Sequence, residues 1–412
     1  MVTISPFFKA FSDVSDTFTL LRPEIALAHP LDDGRAAVVE GSVDHTASLL
    51  GADGATYRRL FSPLVEHADS VAGSVLAPLR SPPRSPLIMA RFGLNGLPTA
   101  THLSNRFSTP EAKALIAGLC AHSMLPLDAP VTAAFGLFLN VTAHAGGWPV
   151  VEGGSDRVIG ALVAALDDEG VTVYMDRPIR QLGDLPKARA TLFDTSAWGL
   201  VDVAGERLSA RYKSGVARFK RGPGVFKVDW ALSGPVPWSA EPCRRAGTVH
   251  VGGTFAEVAA SEKDVSMGRH SDAPFCLVVQ ASVVDDTRAP KGQQTLWAYC
   301  HVPNGSNVDM TERIENQIER FAPGFRDLIL ARSSTSTADG ERHNPNYAGG
   351  DITGGAGTLR QTLFRPTVRW NTYRTGTPGI YLCSSSTPPG GGVHGMCGYG
   401  AARTVLADLK DR

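Results

Sequence analysis

The segment Gly379-Ile-Tyr-Leu-Cys-Ser-Ser-Ser-Thr-Pro-Pro-Gly-Gly-Gly-Val-His-Gly-Met-Cys-Gly-Tyr-Gly-Ala-Ala-Arg403 constrains this chain more than any other. It reads as a strand, a glycine-rich turn and a helix. Glycines let a backbone approach a ligand closely, and the first turn of a helix presents unsatisfied N–H groups at its positive dipole end. Such a turn favours a polar or anionic ligand group. Gly390, Gly392 and Gly395 satisfy G-x-G-x-x-G, but only 17 residues follow Gly395. That is too few for the second strand and acidic ribose ligand of a dinucleotide-binding unit. The turn is therefore expected to close a site assembled from other parts of the chain.

The composition of the remaining chain narrows the ligand. With 40 basic and 40 acidic side chains among 412 residues there is no net positive field to gather nucleic acid. The 43 glycines and 28 prolines imply many tight turns around a small-molecule site. Apolar residues at 43% support two or three packed domains. The cysteines, Cys120, Cys243, Cys276, Cys300, Cys383 and Cys397, have no metal or redox spacing and are expected to be reduced and mostly buried. The histidines show no H-E-x-x-H or paired helical spacing, so no metal site is expected. There is no phosphate-loop lysine motif and no G-x-S-x-G elbow. Met1 to Ala10 lacks a basic n-region and a long apolar core, so a cytoplasmic chain is expected. Ala129 to Val151 is uncharged yet too polar to span a bilayer. A buried or substrate-facing helix is expected there, with a membrane-surface contact as the alternative.

The first 145 residues read as mostly helical, with helical apolar spacing over Tyr57 to Leu79 and Glu111 to His122 and a Pro/Ser cluster at Ser81 to Pro86. From Ser155 to about Glu169, Val158, Ile159, Leu162, Val163 and Leu166 form one face of a helix that Gly170 stops. Strands are predicted at Val171 to Met175 and Ala190 to Phe193. An antiparallel sheet is predicted from Gly224 to Ala231, Phe275 to Val284 and Thr295 to Val302. Asp309 and Glu312 resemble a capping box for a helix that turns Ile314, Ile318 and Phe321 inward and ends at Pro323-Gly324. The final segment, 349 to 400, holds 13 glycines yet contains a strand at Ile380 to Cys383 and the last helix.

On the terminal motif, the sequence resembles the phytoene-dehydrogenase-like branch of flavin-dependent oxidoreductases, the family of carotenoid desaturases. Trp148-Pro-Val-Val-Glu-Gly-Gly-Ser155, Arg177-Pro-Ile-Arg-Gln-Leu182 and His343-Asn-Pro-Asn-Tyr-Ala-Gly-Gly-Asp351 also look like family segments. The resemblance implies a mixed α/β fold in which a flavin-binding Rossmann-like domain interleaves with a helical and antiparallel-sheet substrate domain. It implies a helical cap over 1–147, a flavin-domain return over 148–205, a β-rich substrate domain over 206–345 and a C-terminal flavin segment over 346–412. FAD is the implied cofactor, with Ile179 beside the adenine and Ser384, Gly391, Gly392, Val393, His394, Gly395 and Met396 around the flavin ring. The implied chemistry is hydride removal from a lipophilic, carotenoid-like substrate, with the electron acceptor unspecified. The family's opening strand, G-x-G-x-x-G turn and helix have no counterpart here, because Ser5-Pro-Phe-Phe8 resembles a point well inside a full-length member. The flavin domain is therefore expected to be incomplete.

Several residues carry a functional reading beside a structural one. His394 is a weak catalytic candidate for proton transfer or hydrogen bonding to flavin, or a space-filler at a helix start. Asp351 is a ligand or a turn aspartate. Trp148 and Tyr347 line a lipophilic substrate pocket or pack a core. Arg211, Lys213, Arg218, Lys220 and Arg221 form a solvated face or an anion-binding patch. The rival to an oxidoreductase is a truncated, non-catalytic relative serving as a binding or interaction module. Peripheral membrane contact accompanies the lipophilic-substrate reading.

Overall fold

The computed structural model describes residues 1–78 and 82–410. Nine strands position the site: β1 (Ile25–Pro30), β2 (Ala36–Glu40), β3 (Thr191–Phe193), β4 (Gly224–Leu232), β5 (Ala246–Val251), β6 (Cys276–Val279), β7 (Gln294–Val302), β8 (Ile329–Thr335) and β9 (Ile380–Leu382). Seven of them form one sheet in the order β8-β4-β7-β6-β5-β1-β2. Every neighbouring pair is antiparallel except β1 and β5, which run parallel with Ala28 opposite Val249. A separate two-stranded sheet pairs β9 with β3 in parallel. The helices that matter are α1 (Gly54–Glu66), α2 (Ala68–Val75), α3 (Pro110–Ala121), α4 (Thr132–Gly146), α5 (Asp156–Asp168), α6 (Ala197–Ala204), α7 (Ala210–Ala217), α8 (Phe255–Ser266), α9 (Thr311–Phe321) and α10 (Met396–Lys410).

The two faces of the large sheet differ chemically because alternate residues of a strand point to opposite sides. On one face Val249, Val251, Val278, Ala298, Cys300 and Val302 are buried against Ile314, Ile318 and Phe321 of α9. The other face carries Leu27 and His29 of β1, His250 of β5, and Tyr299 and His301 of β7, and it is roofed by α3, α4 and α8. A dry aliphatic face and a polar, aromatic face thus share one backbone. The mixed α/β class agrees with the sequence reading.

Several local expectations are met. The amphipathic 57–78 stretch is helical as α1 and α2 with a break at His67, while Leu79 and Ser81 lie outside the described residues. All six cysteines are free, and all but the half-buried Cys383 are buried. The uncharged segment becomes the buried helix α4.

Four expectations are corrected. The helical reading of the N-terminal 145 residues omitted β1 and β2, a hairpin closed by the Leu31 N–H donating to the Arg35 carbonyl. The long run at 275–284 is a strand only to Val279. There the buried Gln280 side chain accepts from Trp238 Nε1 and donates to the Cys243 and Ala246 carbonyls, drawing the backbone into a short 3-10 turn. Asp309 Oδ1 accepts the Thr311 N–H in a turn ahead of α9 rather than forming a capping box with Glu312.

The fourth correction concerns α5. The helix forms where expected, ending at Gly170 with φ +70°, but only Val158 of its apolar stripe is buried. Ile159, Val163 and Leu166 are exposed, and residues 171–175 are extended without being paired in a sheet. A strand needs a neighbouring strand's N–H and C=O groups, whereas the Val171 N–H turns back to the Leu166 carbonyl at the end of α5.

Candidate functional site

The glycine turn is built from β9 outward. The Cys383 N–H donates to the Phe193 carbonyl, extending the parallel pair by one residue. Buried Ser386 then ties the turn down, its Oγ donating to the Gly354 carbonyl and accepting the Ala197 N–H at the start of α6. Gly390, Gly392 and Gly395 have φ of +106°, +143° and +67°, a region that side chains resist. Gly391, Gly392 and Val393 are exposed, so the turn offers bare glycine backbone at 391 and 392 beside the Val393 side chain ahead of α10. The Met1 thioether lies over Gly392, and the Phe7 ring lies over Gly395.

His394 faces inward. Its Nε2 donates to the Gly390 carbonyl and its Nδ1 accepts the Met396 N–H, while burial lowers its pKa to about 4. Both ring nitrogens therefore serve the turn. Ser384 Oγ accepts the Ser386 N–H inside the same turn. Ile179 is half-buried in the extended segment after α5. Tyr347 is half-buried at the end of a short helical turn, where its N–H donates to the Asn344 carbonyl.

Asp351 is buried, and its carboxylate accepts the Gly222 N–H at 2.6 Å and the Thr353 N–H and hydroxyl at 2.8 and 2.6 Å. It fastens the loop 351–357, which is central to the site. A Cβ on Gly391 would meet the Thr353 backbone at 3.2 Å, and one on Gly357 would meet the Ser123 carbonyl at 3.2 Å. The same loop thus touches both the glycine turn and the end of α3.

Under this loop sits Arg365, which sequence inspection passed over because one arginine before a proline carries no pattern. Its Nη2 donates to the Thr353 and Gly355 carbonyls, and its Nε is buried without a partner. No ion pair joins it to a carboxylate among the described residues. Burial lowers its pKa, the cost of holding a cation with so little compensation. An orphaned guanidinium N–H beside a bare glycine cradle fits an electron-rich heterocycle or anion, so the residues suit the flavin expected from the sequence.

At the other end of the loop, beyond Ser123, the structure gathers histidines that the sequence scatters. His122 Nε2 lies 2.9 Å from His250 Nε2, and their rings are 4.9 Å apart. Trp148 lies edge-on to His122 at 6.1 Å and tilted to His250 at 6.0 Å, with its Nε1 donating to Thr142 Oγ1. His29 Nε2 donates to the Gly253 carbonyl at 2.7 Å, and His301 Nδ1 is 2.8 Å from the buried Glu262 carboxylate. Burial lowers the pKa of His122 to about 3 and of His29 to about 4, and holds that of His250 well below its ordinary value. These imidazoles are neutral. No set of three or more His, Cys, Asp or Glu side chains among the described residues is arranged to hold a metal ion.

The basic run near 211–221 opens onto a cleft of about 420 Å³ between α7 and the 358–369 segment. Arg211, Arg218 and Lys220 meet Arg360 and Arg369 there, and none of the five forms an ion pair with a carboxylate among the described residues. The buried hydroxyls of Tyr212 and Thr367 at the same cleft are also without partners.

No family model matches the chain. It is 34% identical over 168 residues to the mouse pyridine nucleotide-disulfide oxidoreductase domain-containing protein 2, covering 36% of this chain and 28% of that protein. It is 32% identical over 146 residues to the 4,4'-diapolycopen-4-al dehydrogenase of Metabacillus indicus, covering 34% and 28%. An uncharacterized protein of Mycobacterium tuberculosis is 26% identical over 286 residues, covering 63% and 52%. These matches span roughly a quarter to a half of the relatives' own lengths. Among solved structures, an oxidoreductase from Methanosarcina mazei superposes with a TM-score of 0.62 at 15% identity, over 98% of this chain and 85% of that one. A putrescine oxidase double mutant gives 0.60 at 16%, over 99% and 87%. The chain shares its fold with these two proteins.

Proposed function

We propose that this chain is a phytoene-dehydrogenase-like FAD-dependent oxidoreductase that dehydrogenates a lipophilic, carotenoid-like or other apolar substrate, a reading supported by the oxidoreductase relatives it matches over about a third of its length. The observation that carries the reading is the exposed turn from Gly391 to Val393 ahead of α10, with the unpaired Arg365 guanidinium beneath it. Flavin, when bound, supplies the two-electron acceptor. The chain's own residues do the rest. The α10 N-terminus and Arg365 favour negative charge at the ring. Loop 351–357 holds that cradle against the end of α3, with the Phe135 ring beside Gly357. The name of the Metabacillus relative supports a long apolar substrate such as a carotenoid aldehyde or a similar chain.

Added FAD tests the reading. A saturating excess, at about 100 times Kd, is expected to stabilise the fold by about 2.7 kcal/mol and give a yellow protein with flavin absorption. A colourless protein with an unchanged Tm overturns it and leaves the binding-module reading.

The same proposal includes contact with a membrane surface. No helix among the described residues is long and apolar enough to cross a bilayer. The five unpaired cations of the α7 cleft are instead bordered by exposed Phe364, Val368 and Trp370, the last 83% exposed. Basic side chains beside exposed aromatic residues suit an anionic lipid surface. Co-sedimentation with vesicles containing phosphatidylglycerol, lost in 1 M salt, is expected; equal recovery with pure phosphatidylcholine removes the claim.

A further inference from the structure

We infer that the cleft between α7 and the 358–369 segment is a binding site for a phosphate monoester, with its anionic head among Arg211, Arg218, Arg360 and Arg369 and its organic part against Phe364 and Val368. The inference deepens the surface contact proposed above: it rests on the same cleft but assigns it one saturable ligand in place of a general attraction to charge. Lys220 completes the basic lining, and none of the residues lining the cleft is acidic. Like charges around one concavity focus a positive potential inside it, and an entering anion relieves their repulsion. Guanidinium forks match phosphate oxygens in pairs, which favours phosphate over other anions. At about 420 Å³ the cleft lies within the range of small-molecule sites, roughly 300–1,000 Å³, so it has room for the organic part as well as the ion.

A solvated basic face leaves its polar atoms in water. Two polar atoms of this cleft's walls are cut off from it. Tyr212 and Thr367 line the cleft at 1% and 8% exposure, and their hydroxyls are buried without partners. Buried hydroxyls are nearly always hydrogen-bonded, so two orphans in the walls of one cavity point to a partner that a ligand supplies. Burial pushes the Tyr212 phenol up, so it keeps its proton and can only gain by donating it to an acceptor. The Arg369 guanidinium lies 5.4 Å from the centre of the Tyr212 ring, which puts a cation beside that side chain.

The two walls are fixed to one another. Gln361 Oε1 accepts the Lys220 N–H, and Gln361 Nε2 donates to the Lys220 and Ala356 carbonyls. Gly215 lets Thr367 pack closely on α7, since a Cβ there would lie 2.7 Å from Thr367 Cγ2. A ligand therefore meets a preformed cleft and has little chain to order.

Titration calorimetry on the chain without added flavin tests the site at low salt and pH 8, where a phosphate monoester carries about two charges. The probes are glycerol 3-phosphate and monomeric dihexanoyl phosphatidic acid, which share a head and differ in their acyl chains. Saturable binding at one site per chain is expected. Affinity at least about tenfold higher for the lipid assigns a lipid headgroup, since burying two methylenes suffices for that ratio; equal affinity assigns a soluble ester. Absence of saturable binding by both probes overturns the proposal. Tyr212→Phe keeps every charge and the ring, and it is expected to weaken binding about tenfold with Tm unchanged, the loss of one hydrogen bond to a charged group. An unaltered affinity, or a loss matched by a lower Tm, overturns the proposal. Should that variant fail to fold, Arg360→Gln at an exposed position decides, with about tenfold weaker binding expected and no change overturning the site. Saturable binding of either probe without vesicle co-sedimentation defeats the membrane contact alone. Co-sedimentation without saturable binding of either probe defeats the site alone.

Discussion

The seven-stranded sheet and the small parallel sheet are built from similar sequence material and end in opposite states. In the large sheet both faces of β1 and β5 are covered, and the aliphatic positions of β5, β6 and β7 and of α9 have almost no exposure. In the small one, β3 and β9 form a parallel pair of three residues each and Leu192 is exposed, while the helix α5, which precedes it in the chain, turns Ile159, Val163 and Leu166 to solvent. Parallel strands are stable when covered on both faces, and two strands alone are marginal. An amphipathic stripe therefore states which face seeks cover, while the cover itself depends on which other elements reach it.

The contrast breaks most easily through core truncations. Ile314→Ala in α9 is expected to cost about 2–5 kcal/mol, seen as a lower urea midpoint. A loss below about 1 kcal/mol would show that the large sheet is no better packed than the small one. Acid separates the regions next. The unfolded chain binds protons on its histidines near pH 6.5, whereas His29 stays neutral in the fold to about pH 4. The unfolded state thus holds more protons in that window, so stability falls as pH drops through it, by on the order of 3 kcal/mol for His29. Hydrogen exchange should show this loss in β1 and β5 but not in α5; equal sensitivity in α5 would remove the distinction. Gly118→Ala pushes a methyl group against His29 and His250 and is expected to cost about 1–3 kcal/mol in thermal melts. At the small end, Ile159→Ala should change stability by less than about 0.5 kcal/mol, since that side chain is 61% exposed. A larger penalty would mean that α5 is covered in solution.

Much of the local structure was legible in the residues because its causes are local. β-Branched and aromatic runs marked β4 and β7, and helical spacing marked α1, α3 and α9. The terminal strand, glycine turn and helix stand where the motif put them. The β1–β2 hairpin carried its own signal in Asp33-Gly34 between apolar runs, a turn pair that favours hairpins, yet the surrounding helical spacing masked it. The end of β6 was illegible for a different reason, since Gln280 is drawn aside by Trp238, Cys243 and Ala246, all more than thirty residues away. His394 drew notice through its place in a motif, and both its nitrogens hold that motif together. His122 drew none, because its partners are His250 of β5 and a tryptophan beyond the next helix.

What the sequence determined by itself was the set of elements whose energetics are short-range: helix stripes, strand alternation, the stop at Gly170 and the glycine turn ahead of the last helix. Tertiary structure alone decided which side of the large sheet would be polar, that Arg365 would lie unpaired beneath the glycines, and that His29, His122 and His250 would meet. Those outcomes depend on strand register and on the order β8-β4-β7-β6-β5-β1-β2, which joins residues more than two hundred positions apart. Periodicity within a segment fixes which faces exist, but it carries no record of which distant face will be placed against them.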